Sequence, residues 1–385
     1  MAGSLKIRNK DMKMLKVLHL LTGGGIGGIE VLCREISKTD RFENGFAFLT
    51  FGGQIYDRMR LEGARVYPLF ELGGKFSLKK LKRLIELAKE YDVLIVHHED
   101  PFLEMYFCST LRHVNIKGIR YVHSCYGDAG QKRGNIIKDI FNRITVQRSL
   151  DAADMVYYVS KAGRDSCRSL YRIKRNKERV IYNGISNKIL EDGGEYFLRG
   201  KKTDSGEVIS ILYVGRLASI KGVDLLIRAF DRCRLKDKLK LVIVGDGEER
   251  MELEMLAKKL KISDLVSFEG FHTDVSTYMR EADLFIYPSI CEEVFGISIV
   301  EAMAFGILCI ANRVGGIPEI IVDGENGFLT DETSAEGIER AILRAVKLIR
   351  SGNIENMRLK ARKTAERFGI NVCIENIGEA LKEII

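Results

Sequence analysis

The 385-residue chain has no run of about 18 apolar residues free of charge, so no membrane-spanning helix is expected. Its N-terminus lacks an apolar segment ahead of a small-residue cleavage site, and residues 1–14 read as a polar, basic, disordered leader. The eight cysteines form no Cys-x-x-Cys pair and sit mostly in apolar settings, which excludes a disulfide framework and favours a reducing cytoplasm. No His/Cys/Asp set has metal-ligand spacing, no Asp-x-Asp pair follows a strand, and no Ser-His-Asp arrangement is legible. A metal-independent site without a cofactor is therefore expected. Aromatic platforms, zinc modules and helix-turn-helix signatures are missing beside the basic clusters, which makes nucleic acid the weaker partner.

What is present is an apolar fraction of 46%, enough for about two domains with real cores. The net charge of +8 is unevenly spread: residues 1–190 carry 34 Lys/Arg against 20 Asp/Glu, the remainder 27 against 33. Lys79-Lys80-Leu81-Lys82-Arg83, Lys132-Arg133 and Arg172-Ile173-Lys174-Arg175-Asn176-Lys177 can meet an anionic membrane surface or an acidic glycan. A solvated helix face explains each cluster equally well.

Short apolar runs alternate with amphipathic stretches throughout, the pattern of parallel sheets covered by helices. Residues 15–190 supply seven candidate strands, among them 16–21, 93–97, 119–123 and 180–182. The rhythm restarts with five more between 208 and 311. Residues 191–207, rich in Gly and charge, read as the linker. Two doubly wound domains, 15–190 and 208–368, then face each other, and residues 369–385 form a closing helix. In such sheets ligands bind beyond the carboxyl ends of the strands.

Five of those loops could carry chemistry. Pro288 to Gly306 places Glu293 between a buried strand and an apolar helix, with Glu301 inside the helix. The free N–H groups of Phe295, Gly296 and Ile297 at a helix start suit phosphate, and the two acids suit sugar hydroxyls. A structural salt bridge for Glu301 and a capping role for Glu292-Glu293 remain equally open from the spacing alone. Gly215 to Gly222 offers Arg216 and Lys221, two cations able to reach one diphosphate. Gly23-x-Gly25-x-x-Gly28 matches a dinucleotide fingerprint, yet the second strand ends Thr50-Phe51-Gly52-Gly53 without the ribose-binding acid. His123 ends a strand ahead of Ser124, whereas His97 and His98 read as satisfied structural histidines. Val314 to Phe328 adds a Gly-rich turn and a second approach to phosphate.

Taken together these segments resemble the retaining glycosyltransferases of family 4, from about Leu15 to Ile384. Glu293 and Glu301 stand at that family's Glu-x7-Glu spacing. Gly215-Arg216-Leu217 with Lys221-Gly222 matches its diphosphate motif, and Gly315-Gly316-Ile317-Pro318-Glu319 with Asn326-Gly327 its closing signature. Gly27-Gly28-Ile29-Glu30 is similar to its Gly-Gly-x-Glu loop. Ser160 and Asn183-Gly184-Ile185 fall in order.

The resemblance implies a GT-B fold, a donor diphosphate held by Arg216 and Lys221, and a nucleotide ribose on Glu301. It further implies hydroxyls of the transferred sugar on Glu293 and His123, with Gly27 and Gly28 lining the donor. Ser186, Leu308 and Val294 depart from the family's frequent Asp, Pro and Gly. Val294 adjoins the sugar-binding acid and is expected to influence sugar choice. The implied enzyme moves a hexose or N-acetylhexosamine, UDP-linked by preference, to a lipid-linked or surface-polysaccharide acceptor. It would work in the cytoplasm, peripherally at the inner face of the plasma membrane. A nucleotide-sugar epimerase of the same architecture, an NAD-dependent oxidoreductase and a catalytically dead binding protein are the alternatives.

Overall fold

The computed structural model describes residues 14–74, 77–124, 136–199 and 208–385. The expected leader and the Lys132-Arg133 cluster lie almost wholly outside these residues. The first sheet comprises β1 (Lys16–Gly23), β2 (Glu43–Phe51), β3 (Arg65–Pro68), β4 (Val93–Val96), β5 (Lys117–Val122), β6 (Met155–Tyr158) and β7 (Glu178–Val180). The second comprises β8 (Ile209–Val214), β9 (Leu239–Val244), β10 (Val266–Gly270), β11 (Leu284–Tyr287), β12 (Leu308–Ala311) and β13 (Phe328–Leu329). Strand orders are β3-β2-β1-β4-β5-β6-β7 and β10-β9-β8-β11-β12-β13, with every pair parallel. Every residue of β4, β6, β11 and β12 is buried, as strands covered by helices on both faces require.

Both sheets place their first strand centrally, so the strand order reverses beside β1 and beside β8. The crevice at the carboxyl ends of β1 and β4, and of β8 and β11, is where doubly wound folds take ligands.

The linker expectation needs correction. Asn187–Arg199 is a helix packed on the second domain, not a tether. Gly193 lies so close to the helix Ile297–Ala304 that a Cβ there would stand 2.4 Å from the Ala304 carbonyl oxygen. The glycine that reads as a linker signal is needed for that close approach. Residues 200–207 lie outside the described region.

The chain crosses between domains twice, and the two crossings bond to each other. Ile185 N donates to Phe368 O at 2.9 Å, and Ile370 N donates to Ile185 O at 2.8 Å. The last helix, Ile370–Lys382, then returns to the first domain, burying Ile370, Cys373, Ile374 and Ile377. Its Glu375 pairs with Arg41 at 3.4 Å. An apolar cluster runs without a break from Val17 and Tyr121 through this helix to Phe295 and Ile299.

One basic cluster is also altered. Lys80, on the helix Leu78–Ala88, is buried and donates its ammonium to the Leu49 carbonyl at 2.7 Å. Only Lys79, Lys82 and Arg83 of that run face water.

Candidate active site

The loop from Pro288 to Gly296 connects β11 to the helix Ile297–Ala304 and is clamped on all sides. Asn312, just past β12, donates its amide to Pro288 O at 2.8 Å and to Ser289 O at 3.1 Å. Gly222 holds φ at +64°, and a Cβ there would stand 2.3 Å from Pro288 O. Gly316 N donates to Glu293 O at 2.6 Å, while Gly315, at φ +50°, packs on the Glu293 backbone. The Gly315-Gly316 turn is thus a backbone clamp on the loop that carries Glu293. Gly316 packs in the same way on the next residue of the loop, where a Cβ would stand 2.2 Å from Val294 O.

Those clamps bring Glu293 to Lys221. The carboxylate forms an ion pair with the Lys221 ammonium, and both side chains are largely buried, at 12% and 20% exposure. Ser289 Oγ lies 2.6 Å from Glu293 Oε1, and Tyr287 OH lies 3.3 Å from Lys221 Nζ. Arg216, at the end of β8, stays in solvent at 69% exposure and pairs with Glu248 at 3.0 Å. In this state the two cations expected at one diphosphate are each held by a carboxylate.

Glu301 sits one turn into a helix whose other residues include buried Ser298, Ile299, Val300, Ala302 and Met303. It makes no hydrogen bond or ion pair with any described residue. Burial raises its carboxyl to about 7. The side chain is half-buried, and with no protein partner its carboxylate oxygens keep acceptor capacity for a ligand. Phe295 packs its ring on Phe368 and Tyr182 at centroid distances of 5.3 and 6.2 Å, so only its backbone is left for a ligand. Gly296 starts the helix with no side-chain cap, although Ile297 N is bonded back to Phe295 O at 3.2 Å.

In the first domain, Gly27 precedes the helix Gly28–Ile36 and leaves room for Glu30, whose Oε2 would stand 2.4 Å from a Cβ at position 27. A Cβ at Gly28 would meet nothing within 4 Å, so this glycine borders open space. Gly23 and Gly24 are occupied with packing on Phe51 and Tyr56. Of the three fingerprint glycines Gly23, Gly25 and Gly28, only Gly23 is therefore required by packing within the domain. His98 Nε2 is 3.1 Å from Glu30 Oε1, and His97 is buried.

His123 follows β5 and joins a chain of imidazoles that its sequence position did not reveal. Its Nε2 is 3.2 Å from His97 Nδ1, and His97 Nε2 is 2.8 Å from His19 Nδ1. His19, Cys33 and His97 also hold ligand-type atoms within 4.8 Å of one another, a grouping no local spacing could announce. All three are buried.

Sequence reasoning also missed the contact between the domains. The Glu319 carboxylate, from the second domain, accepts from Lys161 N at 3.0 Å and Ala162 N at 2.8 Å. These amides open the helix Lys161–Leu170 of the first domain, so Glu319 caps a helix of the opposite domain. Tyr182 OH donates to the same carboxylate at 2.8 Å. Beside it, a Cβ at Gly163 would stand 2.9 Å from Val294 Cγ1. Val294 thus meets the first turn of that helix across the cleft.

Sequence models of two families match in succession. "Glycosyltransferase Family 4" matches residues 26–188, and "Glycosyl transferases group 1" matches residues 197–367. The chain belongs to glycosyltransferase family 4. N-acetyl-alpha-D-glucosaminyl L-malate synthase of Bacillus anthracis is 27% identical, over 89% of this chain and 90% of its own. The phosphatidylinositol N-acetylglucosaminyltransferase gpi3 subunit of Schizosaccharomyces pombe is 28% identical over 75% of this chain and 60% of its own. The crystal structure of Anabaena Alr3699/HepE in complex with UDP and glucose superposes with a TM-score of 0.77 at 21% identity, covering 96% and 99% of the two chains. This glycosyltransferase accordingly has the GT-B fold, its two Rossmann-like domains meeting at Glu319 and Val294. No helix among its described residues is long and apolar enough to cross a membrane.

Proposed function

We propose that this glycosyltransferase transfers a hexose or N-acetylhexosamine from a nucleotide diphosphate donor, UDP-linked by preference, with retention and without a metal. The observation that carries the reading is Glu301, a half-buried carboxyl with no partner among the described residues, one loop away from the Lys221–Glu293 pair. Ribose hydroxyls supply the donors that Glu301 lacks, and the donor diphosphate draws Lys221 and Arg216 from their present carboxylates. Two cations at that position neutralise the leaving group as it gains charge, the work a divalent ion does elsewhere. Glu293, released from Lys221, then accepts from hydroxyls of the sugar, with His123 on its far side.

Retention follows from same-face attack. The acceptor oxygen bonds to the anomeric carbon as the bond to the diphosphate oxygen breaks, and the acceptor proton passes to that departing oxygen. The relatives support the donor class: HepE is described with UDP and glucose, and two others are named for N-acetylglucosamine transfer. A lipid-linked or surface-glycan acceptor is supported by the basic first domain and by Ile140, Phe141 and Ile144, which are exposed beside Arg143.

The test is a panel of UDP-, GDP- and ADP-sugars scored by donor hydrolysis and by protection from thermal unfolding, with EDTA present. Turnover of one donor class is expected to survive chelation. Conversion of donor alone into an isomer would replace this reading with an epimerase, and binding without turnover would replace it with a binding protein.

A further inference from the structure

The chain of imidazoles behind His123 has a direction. Asn44 fixes its inner end: the amide nitrogen donates to Ile36 O at 3.2 Å and Phe42 O at 3.4 Å, leaving Oδ1 to face His19 Nε2 at 3.0 Å. An amide oxygen only accepts, so His19 carries its proton on Nε2. Burial holds His19 down to about 4 and His97 and His123 well below their ordinary values, so all three rings are neutral. A neutral ring has one donor and one acceptor. His19 Nδ1 is therefore bare and accepts from His97 Nε2; His97 Nδ1 is bare in turn and accepts from His123 Nε2. The outer atom, His123 Nδ1, is left bare, buried and without a partner.

We infer that Asn44, His19 and His97 are positioning residues that hold His123 in the tautomer with Nδ1 unprotonated, so that this atom accepts a hydrogen bond from a hydroxyl of the transferred sugar. The inference rests on the donor reading above for the identity of the hydroxyl, but the tautomer itself does not. It gives the site a selection rule. A sugar position that presents an O–H to His123 satisfies it, and one that presents only an acceptor, such as a methyl ether or a keto oxygen, leaves two lone pairs facing each other.

The experiment is long-range 1H–15N correlation on histidine-labelled protein, whose six histidines make assignment by single substitution practical. In the wild type at neutral pH, His123 is expected as the Nε2–H tautomer. Adding the nucleotide sugar that the panel selects should shift the Nδ1 resonance, whereas the nucleoside diphosphate alone should leave it in place. Replacing His97 by Leu removes the acceptor for His123 and should give mixed tautomers and a roughly tenfold fall in kcat/KM, about one hydrogen bond's worth. Inhibition by the diphosphate should be unchanged in that variant. His97→Gln keeps one donor and one acceptor in the core, so it should retain the tautomer and most of the activity. An Nδ1–H or charged His123 in the wild type would overturn the relay while leaving the transferase reading untouched. Failure of every donor to turn over, with the tautomer as expected, would overturn only that reading. Equal kinetics in His97→Leu and wild type would show that the fixed tautomer does nothing for catalysis.

Discussion

Glu293 and Lys221 lie 72 residues apart in the chain and form an ion pair at the mouth of the second sheet. Each arrives on a turn that only a glycine allows: Gly222 beside Pro288, and Gly315 beside Glu293. On the proposed donor reading the pair is a resting arrangement, in which diphosphate and carboxylate would compete for one ammonium. Lys221→Ala is expected to lower kcat/KM for donor by about 100-fold or more, the scale of losing one charged group that stabilises a transition state. Steady-state kinetics check this, and full activity in the variant would remove Lys221 from the site.

Glu301 makes stability depend on pH. Its folded carboxyl titrates at about 7 against an ordinary value of 4.5, so between these values the folded protein keeps a proton that the unfolded chain has released. The contribution is complete below the unfolded value and is lost as pH rises through the folded one. Without ligand, Glu301→Gln should therefore gain stability over wild type progressively from about pH 5 to about pH 8. Glu104, also raised to about 7, is common to both proteins and cancels in the difference. Urea unfolding at several pH values measures it, and a difference that does not vary with pH would contradict the buried-acid account.

Glu319 ties the domains together by capping a helix it does not belong to. Glu319→Ala strands two helix-start amides and the Tyr182 hydroxyl, at a cost of about 1–2 kcal/mol by analogy with lost N-caps. The domains should part more readily, seen as a larger radius of gyration in solution scattering. Tyr182→Phe removes one of the three bonds and should have a smaller effect. An unchanged scattering profile in Glu319→Ala would show that the contact does not restrain the domains.

Much of this architecture was legible because strand and helix alternate locally, and burial on both faces leaves unbroken apolar runs such as Leu284 to Tyr287. The acids and cations were legible because their spacing is short and lies in one loop each. What escaped depends on contacts between distant segments. The bond from His97 to His123 joins neighbouring strands β4 and β5, and that from His19 joins β1 to β4, which no local pattern encodes. Glu319 reads as part of a turn motif until the second domain is set against the first. Gly193-Gly194 misled for a related reason: a glycine required for close helix packing and one required for a flexible linker look the same in a sequence. The contact of a Val294 methyl group with Gly163 across the cleft is equally invisible from its sequence neighbours.

Ile140, Phe141 and Ile144 are 54%, 44% and 46% exposed on the helix Ile136–Ala152, next to exposed Arg143. An apolar patch with a cation beside it suits the interface of an anionic bilayer. Flotation with vesicles containing phosphatidylglycerol should carry the wild type, and Phe141→Asp with Ile144→Asp should reduce the bound fraction severalfold. Equal flotation of the two proteins would exclude this face as the point of contact.

The central claim is a division of labour, with ribose on Glu301 and diphosphate on Lys221. Isothermal titration of the nucleoside and its diphosphate, for the base that the donor panel selects and with EDTA present, tests it most directly. Lys221→Ala should weaken the diphosphate and leave the nucleoside unaffected, whereas Glu301→Ala should weaken both. Wild-type affinities for both ligands in both variants would contradict the account.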